Sequence, residues 1–171
     1  MITMDHFKIF KVDNFSIHKK NILHLIKKIP KKSLTDSSQK ISHTDWDLPD
    51  TYTREYLDYF NKNIFEYFAF DLCEKFNCDA LTVNNLWFQV YEKGDFHSSH
   101  RHDKTQFTNV FFLQLPNGNL KTKIFDLNNQ PISIDVYEGD IITFPSYLKH
   151  ESPINLSEDN KIIISFNIDI H

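Results

Sequence analysis

Nine histidines occur in the 171-residue chain, and their spacing matters more than their number. In Phe96-His97-Ser98-Ser99-His100-Arg101-His102-Asp103, His100 and His102 stand two residues apart. Side chains alternate between the faces of an extended strand, so these two imidazoles leave the same face and converge on one point. Neutral imidazole suits iron, zinc, copper or nickel, whereas an oxygen-seeking ion such as calcium calls for carboxylates. A metal centre is the chemistry this pair points to. The plainer reading is that surface histidines flank a loop and hold no metal.

A third ligand is needed, and His150 is the strongest candidate. It follows Gly139-Asp140-Ile141-Ile142-Thr143-Phe144-Pro145, after which the chain turns at Ser146-Tyr147. In a jelly-roll barrel an early strand supplies the first pair, and a distal histidine arrives several strands later on the facing sheet. Three facial ligands leave three positions open for a bidentate acid and oxygen. Asp103 would point away from His100 and His102 on a strand. His97, three residues before His100, also falls on the opposite face unless the strand bulges, and is read as a pocket residue rather than a ligand.

The stretch Lys161-Ile162-Ile163-Ile164-Ser165-Phe166-Asn167-Ile168 puts Lys161, Ser165 and Asn167 on one face and four apolar residues on the other. A polar stripe of this kind looks into a cavity. Lys161 there has the reach and charge to pair with the far carboxylate of a metal-chelated dicarboxylic acid, although an exposed lysine at a strand start is the ordinary alternative. Trp87, Gln89 and Tyr91 alternate along an earlier strand. Gln89 and Tyr91 are assigned to the pocket and Trp87 to packing, with either face of that strand open as core.

These residues need a scaffold. Residues 6–12 predict a short strand, and Ser16 can cap a helix whose apolar face is Ile22, Ile26 and Ile29, stopped by Pro30. Residues 31–50 are polar and aperiodic, which predicts a long surface loop, including His43, Asp45 and Trp46, that either covers the barrel mouth or packs on the barrel wall. Leu57, Phe60, Ile64, Phe68 and Leu72 recur at helical spacing between Thr53 and Phe76 and predict a second helix packed on the outside of a sheet. From Leu81 the period changes to two, with strand-like runs at 82–91, 106–115, 120–126, 131–137, 140–144 and 161–169, several separated by turn-forming residues. Helices followed by six or more strands predict an α+β fold, a double-stranded β-helix (jelly-roll, cupin-like) barrel with N-terminal helices outside it. One domain spans 1–171, with the N-terminal strand, helices and loop in 1–80 and the jelly-roll core in 81–171.

Composition bounds the function. With 40% hydrophobic and 15% aromatic residues, the chain suits one domain with a substantial core. A net charge of -4, from 19 Lys+Arg against 23 Asp+Glu, gives no global attraction to nucleic acid. The lysines between Lys19 and Lys32 read as a solvated helix face. No apolar stretch approaches the ~20 residues that cross a membrane, and no secretory pattern opens the chain. Cys73 and Cys78 fit neither a C-x-x-C pair nor a disulfide framework, which points to the cytoplasm with both thiols reduced.

Taken together, the motifs resemble the Fe(II)/2-oxoglutarate-dependent oxygenase superfamily over roughly residues 85–169. Tyr91-Glu92-Lys93-Gly94-Asp95-Phe96-His97-Ser98-Ser99-His100-Arg101-His102 is similar to the Y-E-x-G-x-x-Y-x-x-H-x-D stretch of its prolyl-hydroxylase-type members. Gly139-Asp140 through Phe144-Pro145-Ser146-Tyr147-Leu148-Lys149-His150 is similar to their G-D-x-x-x-F and distal histidine. A bacterial and phage group with H-x-H, F-P-S-x-L-x-H and a closing S-F-N is matched by Phe144 to His150 and by Ser165-Phe166-Asn167. The resemblance implies Fe(II) on His100, His102 and His150, O2 and 2-oxoglutarate as co-substrates, and Lys161 at the 2-oxoglutarate tail. It implies hydroxylation of a small molecule or peptide side chain. Two departures stand out: His102 replaces the usual acid and makes the site more cationic, and Lys161 replaces the group's arginine, giving a single-point contact.

Two other readings remain at this level. Gly139, Pro145 and His150 also fit the second cupin motif, but Gln106 stands where the first would place a glutamate ligand. A degenerate barrel that binds a small molecule without catalysis is the third reading. Dimerisation through an exposed strand or helix is expected, with no surface singled out.

Overall fold

The computed structural model describes residues 6–49 and 51–171. Two six-stranded sheets, all of whose pairings are antiparallel, carry the fold. The strands are β1 (Lys8–Lys11), β2 (Leu34–Thr35), β3 (Gln39–Ile41), β4 (His43–Thr44), β5 (Leu81–Tyr91) and β6 (Phe96–His100). They continue with β7 (Phe107–Gln114), β8 (Lys123–Phe125), β9 (Pro131–Ile132), β10 (Asp140–Pro145), β11 (His150–Ser152) and β12 (Lys161–Ile170). One sheet runs β1-β10-β7-β12-β5-β4 and the other β2-β3-β6-β11-β8-β9.

β7, β10, β12 and the second half of β5 are β-branched and aromatic runs because they are covered on both faces. On β12, Ile162, Ile164, Phe166 and Ile168 face a cluster formed with helices α1 (Phe15–Ile26), α2 (Glu55–Phe60) and α3 (Glu66–Phe76), where Phe60, Phe68 and Phe166 pack edge to face. Its other face turns to a second cluster, between the sheets, that joins Ile163, Val110, Phe112 and Phe144 to Ile41 and Ile124. Each buried ring contributes about 1.5–3 kcal/mol. The helices therefore cover one sheet from outside, as the helical spacing predicted.

Several local expectations need correction. The loop expected over 31–50 contains β2, β3 and β4, which extend both sheets and close one side of the molecule over the site. Thr44 and Asp45 are buried there, the Asp45 carboxylate accepting from Phe88 N at 2.9 Å and Tyr56 Oη at 2.6 Å and facing Arg54 Nε at 3.1 Å. Polar composition concealed this segment because its strands are two or three residues long and its buried acid is paid off by specific partners. Ser16 does not cap α1: the helix starts at Phe15 behind Asn14 in a left-handed conformation, φ 50. The second helix is interrupted by a π-turn over Asn61–Phe65, and the run at 131–137 is a strand only at Pro131–Ile132.

Gly139 enters β10 at φ 96, and a Cβ there would lie 2.9 Å from the Phe15 ring. Its conformation and this close approach require glycine. The N-terminal lysines pair with acids, Lys19 with Glu138, Lys28 with Glu55 and Lys31 with Glu92, as a solvated face would. No described helix is long and apolar enough to cross a membrane.

Candidate metal centre

His100 ends β6 and His150 opens β11, and the two are direct partners across that antiparallel pair. Their ring centroids lie 4.3 Å apart, and His102 stands 5.3 Å from His100 and 5.2 Å from His150. One ligand atom from each of the three lies within 4.8 Å of the others. His102 lies beyond the end of β6 rather than on it, and is fixed by its backbone N–H donating to Ser146 O at 3.0 Å. The convergence expected of a strand is reached by a turn.

The rings are oriented by their own chain. His100 Nδ1 lies 2.8 Å from Ser98 O, and His150 Nδ1 lies 3.1 Å from Leu148 O. A carbonyl can only accept, so Nδ1 carries the proton in both and Nε2 is left as the basic nitrogen. Burial, and for His102 and His150 the neighbouring His100, lowers the pKa values, His102 to about 4 and His150 well below the ordinary histidine value. Burial also lowers His100. The centre is thus a set of neutral nitrogen donors, with the protons of His100 and His150 held on the far side, which fits a borderline transition metal.

His97, read as a pocket residue that plain alternation would put on the opposite face, is on the cavity side. It is stacked on His100, centroids 3.9 Å apart, and lines the same cavity. The pairing shows why: His100 faces His150 but His97 faces Ser152, three steps on β6 against two on β11. That bulge reverses the alternation. Trp87, expected in packing alone, lines the cavity too and packs on Trp46 at 4.5 Å.

Two connected recesses share Trp87, Gln89 and the three histidines at 97, 100 and 102. The inner one adds Tyr91, Thr122, Ser152 and Ser165. The outer one, the roomier of the two, adds Leu34, Gln39, Ile41, Thr44 and Trp46. Gln89 and Tyr91 therefore face the cavity, and Ser165 Oγ donates to Gln89 Oε1 at 3.0 Å. Asn167 shares their face of β12 but does not line the cavity. Its side chain is held by Thr108 and Asn85 at 2.9 and 2.7 Å.

Lys161 is fully buried behind the inner recess, with Nζ donating to Ser152 Oγ at 2.7 Å and lying 5.2 Å over the Tyr91 ring. Burial lowers its pKa to about 7, and no described carboxylate holds it up. Thr122 Oγ1, also on the cavity wall, is buried without a hydrogen-bond partner among the described residues. An unmatched ammonium and an unmatched hydroxyl are each costly, the hydroxyl by about 1–3 kcal/mol. Both suit an anionic oxygen ligand arriving from the cavity. The sequence offered no signal for Thr122 or Ser152.

No family model matches the sequence, and no curated protein does. Solved structures match nearly its whole length. An oxidoreductase of the 2OG-Fe(II) oxygenase family from Burkholderia pseudomallei superposes with TM-score 0.75 at 12% identity, over 97% of this chain and 86% of that one. The viral collagen prolyl hydroxylase of Paramecium bursaria Chlorella virus-1, in its 2OG complex, gives TM-score 0.60 at 20% identity over 95% of each chain. A Trichoplax adhaerens prolyl hydroxylase, bound to a peptide fragment of the hypoxia inducible factor oxygen degradation domain, gives 0.66 at 14% over 96% and 84%. The chain has the fold of the 2OG-Fe(II) oxygenases, with three histidines gathered as a candidate metal site. The likeness is one of fold, and it agrees with the resemblance carried by the sequence motifs.

Proposed function

We propose that the protein is a single-domain, double-stranded β-helix oxygenase that uses Fe(II), O2 and 2-oxoglutarate. His100, His102 and His150 hold the metal, and Lys161 receives the far carboxylate of 2-oxoglutarate. The observation that carries this reading is the pairing of a neutral three-histidine cluster with a buried, acid-free lysine that donates to Ser152 on the wall of the same cavity. Bound iron would supply oxygen activation coupled to oxidative decarboxylation of 2-oxoglutarate to succinate.

The chain's own groups do the rest. Ser98 O and Leu148 O hold the His100 and His150 rings by their Nδ1 protons. Ser152, hydrogen-bonded to Lys161, and Thr122 add hydroxyl donors at the carboxylate end, while Tyr91 and Ile163 screen it from water. Gln89, tied to Ser165, fixes the wall between this end and the outer recess. That recess is lined by Leu34, Ile41 and Trp46 and by no lysine, arginine, aspartate or glutamate. It suits an uncharged side chain or small molecule, and the peptide bound by the Trichoplax protein favours a peptide.

Gln106, where a cupin would carry a fourth ligand, accepts the Ile170 N–H at 2.9 Å, which speaks against that alternative. The test is conversion of 2-oxoglutarate to succinate with Fe(II) and ascorbate, followed by NMR. Succinate formed by the wild type and abolished in His150→Ala supports the reading. Equal succinate in both proteins contradicts it.

A further inference from the structure

The two cysteines, six positions inclusive along the chain, lie on opposite sides of a helix end and far from the histidines in sequence. Helix α3 closes at Asn77, which takes a left-handed conformation at φ 53. Asn77 N–H donates to Glu74 O at 3.4 Å and Cys78 N–H to Cys73 O at 3.1 Å. This paired closure brings the residue two past the helix end against the third from its end, and their side chains meet. Here both are cysteines, both free and half-buried, and both line one surface recess. The sequence offset hides this, because a five-residue step matches no familiar thiol motif.

We propose that Cys73 and Cys78 are a modification site that forms an intramolecular disulfide by exchange with a low-molecular-weight disulfide. The direct backbone hydrogen bond between the two cysteines, 3.1 Å from Cys78 N to Cys73 O, holds their main chains side by side, as a bridge of short reach requires. Reagent access exists through an open surface recess lined by Phe70, Cys73, Glu74, Asn77, Cys78 and Asp79.

The chemistry balances in two exchanges. The Cys78 thiolate attacks one sulfur of the reagent, its S–S bond breaks, and the first thiolate leaves. The Cys73 thiolate then attacks the Cys78 sulfur, the mixed disulfide breaks, and the second thiolate leaves. The two protons lost by the cysteines go to the two released thiolates, so two protein thiols are oxidised and one reagent disulfide is reduced. Burial and the neighbouring Cys78 thiol raise the Cys73 pKa to about 11, which keeps the Cys73 thiol protonated and slows its attack. The bridge would tie the last turn of α3 to the root of β5, which carries Trp87, Gln89 and Tyr91 into the cavity. Asp79 and Ala80, between them, are already bonded to His171.

The test is equilibration of the full chain with glutathione redox buffers, folded and in urea, followed by alkylation under denaturing conditions and peptide mass mapping. The expected result is a Cys73–Cys78 bridge in the folded chain whose equilibrium constant exceeds that of the unfolded chain at least tenfold. Cys73→Ser should instead hold glutathione on Cys78. Equal constants in the two states, or glutathione adducts on the folded wild type without a bridge, would overturn the proposal. None of these outcomes depends on the metal centre.

Discussion

His150 faces His100 directly across the β6–β11 pair, with ring centroids 4.3 Å apart. Each ring is also tethered through Nδ1 to the carbonyl two residues before it in its own chain. The same local device on two strands sets two nitrogen donors on one point. Replacing either with alanine should weaken Fe(II) or Co(II) binding by more than the roughly 10–100-fold typical of an outer-sphere partner. Calorimetric titration of the variants reads this directly, and unchanged affinity in His150→Ala would remove the ring from the metal.

The depressed histidine pKa values make a pH claim. Rings that stay neutral down to about pH 4, as His102 does, do not exchange protons for metal near neutrality. Metal affinity should therefore change by less than about threefold between roughly pH 6 and 7.5, where three ordinary histidines would lose far more to protonation. A steep fall over that interval would show the rings protonating at ordinary values.

Lys161 should trade stability for binding. Its folded pKa, about 7, lies below the unfolded value of 10.5. The unfolded chain then binds more protons between those values, so stability rises with pH across that window and is lowest below about pH 7. Lys161→Met should raise apoprotein stability, more at pH 6 than at pH 10, as urea unfolding would show. The same variant should weaken 2-oxoglutarate binding more than tenfold without changing metal affinity. Wild-type 2-oxoglutarate affinity should fall by up to about tenfold per pH unit above 7, as the ammonium is lost, and the variant should be flat.

Asp45 is buried with Tyr56, Phe88 N and Arg54 as partners. Removing it strands a largely buried guanidinium and an unpaired amide. Asp45→Ala should cost about 3–5 kcal/mol of stability, measured by the shift in urea midpoint. A loss within about 0.5 kcal/mol would be the signature of a surface residue.

The histidine cluster and the helix-on-sheet arrangement were legible in the sequence because they rest on spacing: two-residue alternation on β5 and β12, helical spacing from Leu57 to Leu72, and the short His100/His102 interval, which a turn rather than the strand closes. What escaped is what periodicity cannot express. His97 reaches the cavity by a bulge, a single extra residue in the pairing of β6 with β11, which alternation allowed for but could not locate. Strands β2, β3 and β4 are too short to show alternation, and Asp45 looked like a solvent residue because its partners are 9 to 43 residues away. Asn167 followed the alternation correctly, yet Thr108 and Asn85 had already claimed its amide.

The most direct measurement is anaerobic addition of Fe(II) and then 2-oxoglutarate to the apoprotein, watching for the weak visible charge-transfer band of a chelated keto acid. The band is expected in the wild type, absent in His150→Ala, and in Lys161→Met visible only at much higher 2-oxoglutarate. Iron binding without the band in the wild type would contradict the use of 2-oxoglutarate, and the absence of iron binding would contradict the metal centre itself.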